Sequence, residues 1–223
     1  MRIIYLPGLG ETAGIFEKIV THIKSDESVF PDHFELLGNQ PKRTLNALRY
    51  ATELIAKYHI TSNDVIIGHS MGGWIAYHIK HLVNSPIVQI AAWTNPDRVI
   101  LPISNRRFIY FLARSGLYLN RFTLQHFIKR DYKGKPSAGI YTEIFERLQK
   151  NNKENTINQL RIVLEAVETD IQVIPDLRIH AKADTIIHYP KASFIEVPGD
   201  HFTLCTNPAA VYTPIVKWLA DRS

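Results

Sequence analysis

The sequence predicts an α/β fold, a mostly parallel sheet of about six strands flanked by helices. Three observations predict it. Short apolar runs alternate with segments whose apolar residues recur at helical spacing. The runs are punctuated by Gly, Pro or Asn, as buried parallel strands tend to be. One junction, Gly68-His69-Ser70-Met71-Gly72, reads as a sharp turn from an apolar strand straight into a helix.

Taken in order, Ile3 to Leu6 is the first expected strand and Phe34 to Leu37 the second. Thr44 to Tyr58 carries Leu45, Leu48, Ala51, Leu54 and Ile55 on one helical face. Val65 to Ile67 is the third strand, and after the Gly-rich turn Trp74 to Val83 is a helix with Ile75, Ile79 and Leu82. Ile87 to Ala92, Leu177 to Ile179 and Ser193 to Val197 supply the remaining strands. Pro208 to Leu219 closes the chain as a helix through Val211, Ile215, Val216 and Leu219. An open sheet of this kind gathers reactive groups at the carboxyl ends of its strands.

Composition narrows the function. The chain has 223 residues, 45% of them hydrophobic, enough for one well-filled core. The single cysteine, Cys205, excludes an intrachain disulfide and argues against a cysteine-based metal site; it reads as a small buried residue. The histidines form no H-E-x-x-H set, so neither a metal nor another cofactor is expected. Gly8-Leu9-Gly10 lacks the Lys-Ser or Lys-Thr continuation of a nucleotide loop, and no nucleic-acid recognition motif is present. No apolar run reaches membrane-spanning length, and the apolar strand beginning at once after Met1-Arg2 leaves no secretory signal; a soluble, cytoplasmic protein is expected.

The turn carries the chemistry. A serine on a tight strand-to-helix turn needs small neighbours, which Gly68 and Gly72 supply, and its hydroxyl then stands clear above the sheet. Ser70 is thus a candidate nucleophile, and it needs a base. His201 follows the strand at Phe194 to Val197 and the turn Pro198-Gly199-Asp200, on the same carboxyl edge. His78 and His81 read as solvated helix positions, His22, His33 and His59 lie in segments without matching chemistry, and His69 reads as a packing or hydrogen-bonding residue. His180 and His188 flank a strand end. The base needs an orienting acid. Asp184, on the loop after Leu177 to Ile179, is the first candidate, and Asp97, after the strand ending at Ala92, is the substitute. Asp176 falls at the wrong end of its strand, and Asp200 is adjacent to His201, where side chains usually diverge.

With the elbow GHSMG, the order Ser70, Asp184, His201 and the early Leu-Pro-Gly-Leu-Gly loop, the chain resembles the α/β-hydrolase family. The resemblance implies a cofactor-independent serine hydrolase whose oxyanion hole is the backbone N–H of Leu9 and Met71. It also implies a helical cap, residues 98–172, inserted into a core of residues 1–97 and 173–223. The first loop departs from the common His-Gly by having Pro7-Gly8, which leaves a backbone donor intact. The expected substrate is a carboxylic ester cleaved through an acyl-enzyme. The alternative is a thioesterase or acyltransferase acting on a phosphorylated carrier or coenzyme A thioester, since Val197 to Leu204 resembles the histidine loop of type I thioesterases. A non-catalytic ligand-binding protein on the same fold is the second alternative.

The inserted stretch is basic and aromatic. Residues 98–135 hold nine Arg and Lys against the single acid Asp131, a net +8; the whole chain carries +5, so the remainder sums to −3. Phe108, Tyr110, Phe111, Tyr118, Phe122, Phe127, Tyr132, Tyr141 and Phe145 interleave with it. The pattern fits an acyl chain with an anionic head, an anionic membrane surface or an acidic partner, and equally a cap whose aromatics pack inward beneath solvated charges.

Overall fold

The computed structural model describes residues 1–101 and 103–222. Strand β1 (Arg2–Leu6) leads through a 3₁₀ turn, Ala13–Phe16, into α1 (Glu17–Val20) and β2 (Glu27–Val29). Helices α2 (His33–Leu37) and α3 (Ala47–Tyr58) precede β3 (Val65–His69), α4 (Met71–Val83) and β4 (Ile87–Ile90). Helices α5 (Arg106–Ser115), α6 (Arg121–Phe127), α7 (Ala138–Lys150) and α8 (Lys153–Leu164) all lie between β4 and β5 (Leu177–His180). β6 (Ile195–Glu196), α9 (Thr203–Thr206) and α10 (Pro208–Ala220) complete the chain. The described residues form one sheet of six parallel strands in the order β2-β1-β3-β4-β5-β6.

Strand alternation builds a core on each face. Ile4, Leu6 and Ile66 point to the side covered by α3 and α4, while Ile3, Tyr5, Val65 and Ile67 point to the side of α1 and α10. Helix α4 lies under the insertion: Trp74 Nε1 donates to Ile162 O at 3.1 Å and the Tyr77 hydroxyl to Ile171 O at 2.8 Å. Helix α8 turns a polar side inward. Its buried Asn155 and Asn158 donate to the carbonyls of Phe34, Gly38, Leu37 and Gln40, pinning the segment that carries α2. No helix among the described residues is long and apolar enough to cross a membrane.

One expected strand is a helix. Phe34 to Leu37 lies in α2, because Asp32 Oδ1 accepts the Phe34 N–H at 2.8 Å as an N-cap and Gly38, at φ 59°, stops the turn. The strand beside β1 is instead Glu27–Val29, in register with Arg2, Ile3 and Ile4. A three-residue edge strand with one apolar side chain carries no periodic signal. The strand expected over Ile87 to Ala92 ends at Ile90, with Ala91 at φ 47°, and the one over Ser193 to Val197 contracts to two residues.

Candidate active site

Four strands deliver the site at one edge. β3 hands the chain to Ser70, which sits at φ 51°, ψ −119°, a conformation rarely held by a residue with a side chain. The Ser70 N–H is tied to Ile90 O at 3.0 Å. The flanking glycines are required by contact: a Cβ on Gly72 would lie 1.8 Å from Leu6 O, and one on Gly68 would lie 2.4 Å from the Gly72 carbonyl. β1 therefore runs directly against the elbow.

β5 and β6 deliver the acid and the imidazole. His201 Nδ1 lies 2.8 Å from Asp184 Oδ2, and both side chains are buried. The other Asp184 oxygen accepts the N–H groups of Ile186 and Ile187 at 2.8 and 2.9 Å, and His180 Nε2 approaches Oδ2 at 3.3 Å. Burial alone would raise the Asp184 carboxyl. The His201 charge and the hydrogen bonds from His180 and His201 outweigh it and hold the acid well below the usual carboxylate range. A carboxylate that accepts the Nδ1–H hydrogen bond fixes the tautomer in which Nε2 carries the lone pair.

The β1 loop completes the edge. Pro7 O accepts from His33 Nε2 at 3.0 Å, Gly8 N–H donates to Glu11 Oε2 at 2.5 Å, Gly10 N–H to Gln159 Oε1 at 2.9 Å, and Gly10 O accepts from Arg147 Nη1 at 2.9 Å. Leu9 N–H and Met71 N–H, at the tip of this loop and the start of α4, have no hydrogen-bond partner among the described residues. Both residues wall the same cavity as Ser70, Asp184 and His201. Two unpartnered amides beside a serine can receive an anionic oxygen.

That cavity measures about 620 Å³. Its walls are chiefly aliphatic and aromatic, with Ile100, Leu101, Ile109, Leu112 and Ala113 from the stretch ending in α5, Ile144, Phe145 and Leu148 from α7, and Leu160 and Val163 from α8. Among the described residues that line it Arg130 is the one Arg or Lys, and it is held by both oxygens of Asp131 at 2.8 and 2.6 Å. The insertion's aromatics divide. Phe127, Tyr132 and Phe145 are buried, whereas Phe108, Phe111 and Phe122 are exposed, Phe122 by 84%.

The structure thus brings together Ser70, Asp184, His201, Leu9 and Met71. It does not bring Asp97 there: that residue is exposed in a 3₁₀ turn, outside the cavity wall. Asp200 faces away, accepting from Ser137 Oγ at 2.5 Å and Phe202 N–H at 3.1 Å. Asp176, at the other end of β5, binds Lys80. His78 corrects the sequence reading. It is fully buried against Trp74 and Tyr77, with neither ring nitrogen partnered among the described residues, because α4 is covered by the insertion on its outer side as well. His69 is, as expected, a hydrogen-bonding residue, but its partner Glu11 was missed. An acid directly after Gly8-Leu9-Gly10, in an otherwise apolar entry to the fold, was the available signal.

No protein-family model and no curated protein matches this sequence. Solved structures do. An esterase from Exiguobacterium antarcticum superposes with a TM-score of 0.66 at 14% identity, over 99% of this chain and 92% of the esterase. An esterase from Thermogutta terrifontis gives 0.68 at 15% identity, over 99% and 90%, and an enol-lactonase from Burkholderia xenovorans gives 0.67 at 13% identity, over 98% and 91%. Such likeness is one of architecture: the chain has the α/β-hydrolase fold.

Proposed function

We propose that the protein is a serine hydrolase that cleaves an uncharged carboxylic ester with an apolar acyl chain through an acyl-enzyme. The observation that supports it is the buried His201–Asp184 hydrogen bond in the wall of the cavity that also holds Ser70 and two unpartnered amides. Ser70 Oγ attacks the ester carbonyl while His201 Nε2 takes its proton. The imidazolium so formed is held by Asp184, and the oxyanion is received by Leu9 and Met71 N–H, each donor contributing about 3 kcal/mol. His201 then gives the proton to the leaving alcohol, and water, with His201 as base, releases the acid. Residues 98–172 act as the cap over residues 1–97 and 173–223.

The cavity argues for the acyl class. One internally paired cation in an apolar wall offers no site for an anionic head, whereas each buried methylene of an acyl chain contributes about 0.8 kcal/mol. A second reading, a thioester of a phosphorylated carrier, is favoured by Arg107, Arg121, Lys129 and Lys133, exposed cations with no ion pair among the described residues. A fluorophosphonate probe should label wild type and not Ser70→Ala, and equal labelling of the two sinks the proposal. Paired acyl esters and acyl-coenzyme A thioesters then separate the two readings by kcat/KM.

A further inference from the structure

A second carboxylate–imidazole pair stands directly behind the first. His69 Nδ1 lies 2.9 Å from Glu11 Oε2, and His69 Nε2 lies 2.9 Å from the backbone oxygen of His201. Both side chains are buried, and the His69 and His201 rings are 4.9 Å apart at their centroids. The same Glu11 oxygen accepts the Gly8 N–H. Three separate pieces of chain therefore meet on two side chains: the β1 loop that carries Leu9, the turn that carries Ser70, and the loop that carries His201.

The hydrogen-bond partners fit a charged pair. A carbonyl oxygen only accepts, so Nε2 must donate; an ionised carboxylate only accepts, so Nδ1 must donate too. An imidazole that donates from both nitrogens is an imidazolium. The neighbouring His33 shows the contrast: its Nε2 donates to Pro7 O, its Nδ1 meets the Tyr50 hydroxyl, which can donate to it, and burial, lowering its pKa to about 4, favours the neutral form.

We propose that Glu11 and His69 are positioning residues: a buried carboxylate–imidazolium pair that fixes the Leu9 loop and the His201 backbone, with the His69 charge cancelling that of Glu11. The inference rests on the serine hydrolase reading for its catalytic consequence, though the charge state itself does not. Glu11 walls the cavity and holds the amide one residue from the Leu9 donor. An uncompensated carboxylate there would oppose the negative oxygen that Leu9 and Met71 receive. His69 removes that penalty without occupying the cavity. The groups facing His69 are Glu11, His201 and Asp184, and the Glu11 charge also acts on His33. Burial disfavours its charged form; the charge and hydrogen bond of Glu11 prevail and raise its pKa. The clamp therefore opens as pH rises through the raised value, when one ring nitrogen stops donating.

The test begins with nitrogen-15 NMR of histidine-labelled wild type at pH 7.5, where an unperturbed imidazole is about nine-tenths neutral. One buried histidine, assigned from the signals displaced in Glu11→Gln, should carry protons on both nitrogens; a neutral tautomer there overturns the proposal. His69→Gln strands the Glu11 charge and should lower kcat by about 10²-fold, with KM changed much less. Adding Glu11→Gln restores a neutral donor–acceptor pair and should recover about tenfold of that loss. Equal rates for His69→Gln and the double variant overturn the charge argument. If His69→Gln does not fold, the loss of the alkaline limb of the pH–rate profile in Glu11→Gln decides the same point. An inactive wild type that still shows the doubly protonated histidine would fail the hydrolase reading and leave the buried pair standing.

Discussion

His201 Nδ1 lies 2.8 Å from Asp184 Oδ2, while the carboxylate's second oxygen is held by the N–H groups of Ile186 and Ile187. The acid is thus locked by its own loop before it meets the imidazole. That rigidity is what an orienting carboxylate needs, since a mobile one would spend binding energy on being ordered.

Asp184→Asn should lower kcat about 10⁴-fold, because an amide can present its N–H to Nδ1 and impose the wrong tautomer. Asp97→Asn should leave the rate as it is, because the Asp97 side chain is exposed and walls no part of the cavity. Steady-state kinetics of the two variants on one acyl ester checks this. A larger loss at Asp97 would reverse the assignment.

Acid sensitivity should come from two histidines outside the chemistry. Burial pushes His33 down to about 4, and burial, with a smaller contribution from His81, pushes His78 down to about 3. Below pH 6.5 the unfolded chain binds protons at these positions that the folded chain refuses, so stability falls as pH falls towards those values. The two together should remove about 2 kcal/mol between pH 6 and pH 5. Asp184 works in the other window: its depressed carboxyl stabilises the fold above the ordinary carboxylate pKa and stops doing so only as pH falls below it. Urea unfolding at pH 6 and pH 5 measures the slope, and His78→Leu should roughly halve it. An unchanged slope in that variant would remove His78 from the account.

Acyl length should be set by the insertion. Ala113 of α5 is buried and lines the cavity, so Ala113→Phe fills space there without disturbing the sheet edge. On a series of p-nitrophenyl esters from acetyl to dodecanoyl, wild type should favour the longer chains. The variant should lose about tenfold or more in kcat/KM on those and keep its rate on acetyl and butyryl esters. A uniform loss at all lengths would place the acyl chain elsewhere.

The sheet was legible in the sequence where a strand was apolar and long enough to alternate, as at Ile3 to Leu6 and Val65 to Ile67, and illegible where it was three residues at an edge. Phe34 to Leu37 shows how apolar content misleads: its four residues fit either period, and the Asp32 cap decided for a helix. The site was legible by position. Ser70, His201 and Asp184 each follow a strand at its carboxyl end, so chain order alone placed them at one edge. His78 was misread because a helix's solvent side is inferred from the sheet, and the insertion that covers α4 from outside is remote in sequence.

The sequence by itself determined the turn that carries Ser70, its two crowded glycines and the succession of strands that delivers His201 and Asp184, because those are local rules of backbone sterics and periodicity. Only the tertiary structure decided which carboxylate faces His201, that the insertion walls an apolar chamber with a single self-paired cation, and that Glu11 and His69 bind three loops together. Those depend on contacts between residues 17, 58 and 132 positions apart, and burial there makes each polar group choose a partner that no local pattern records.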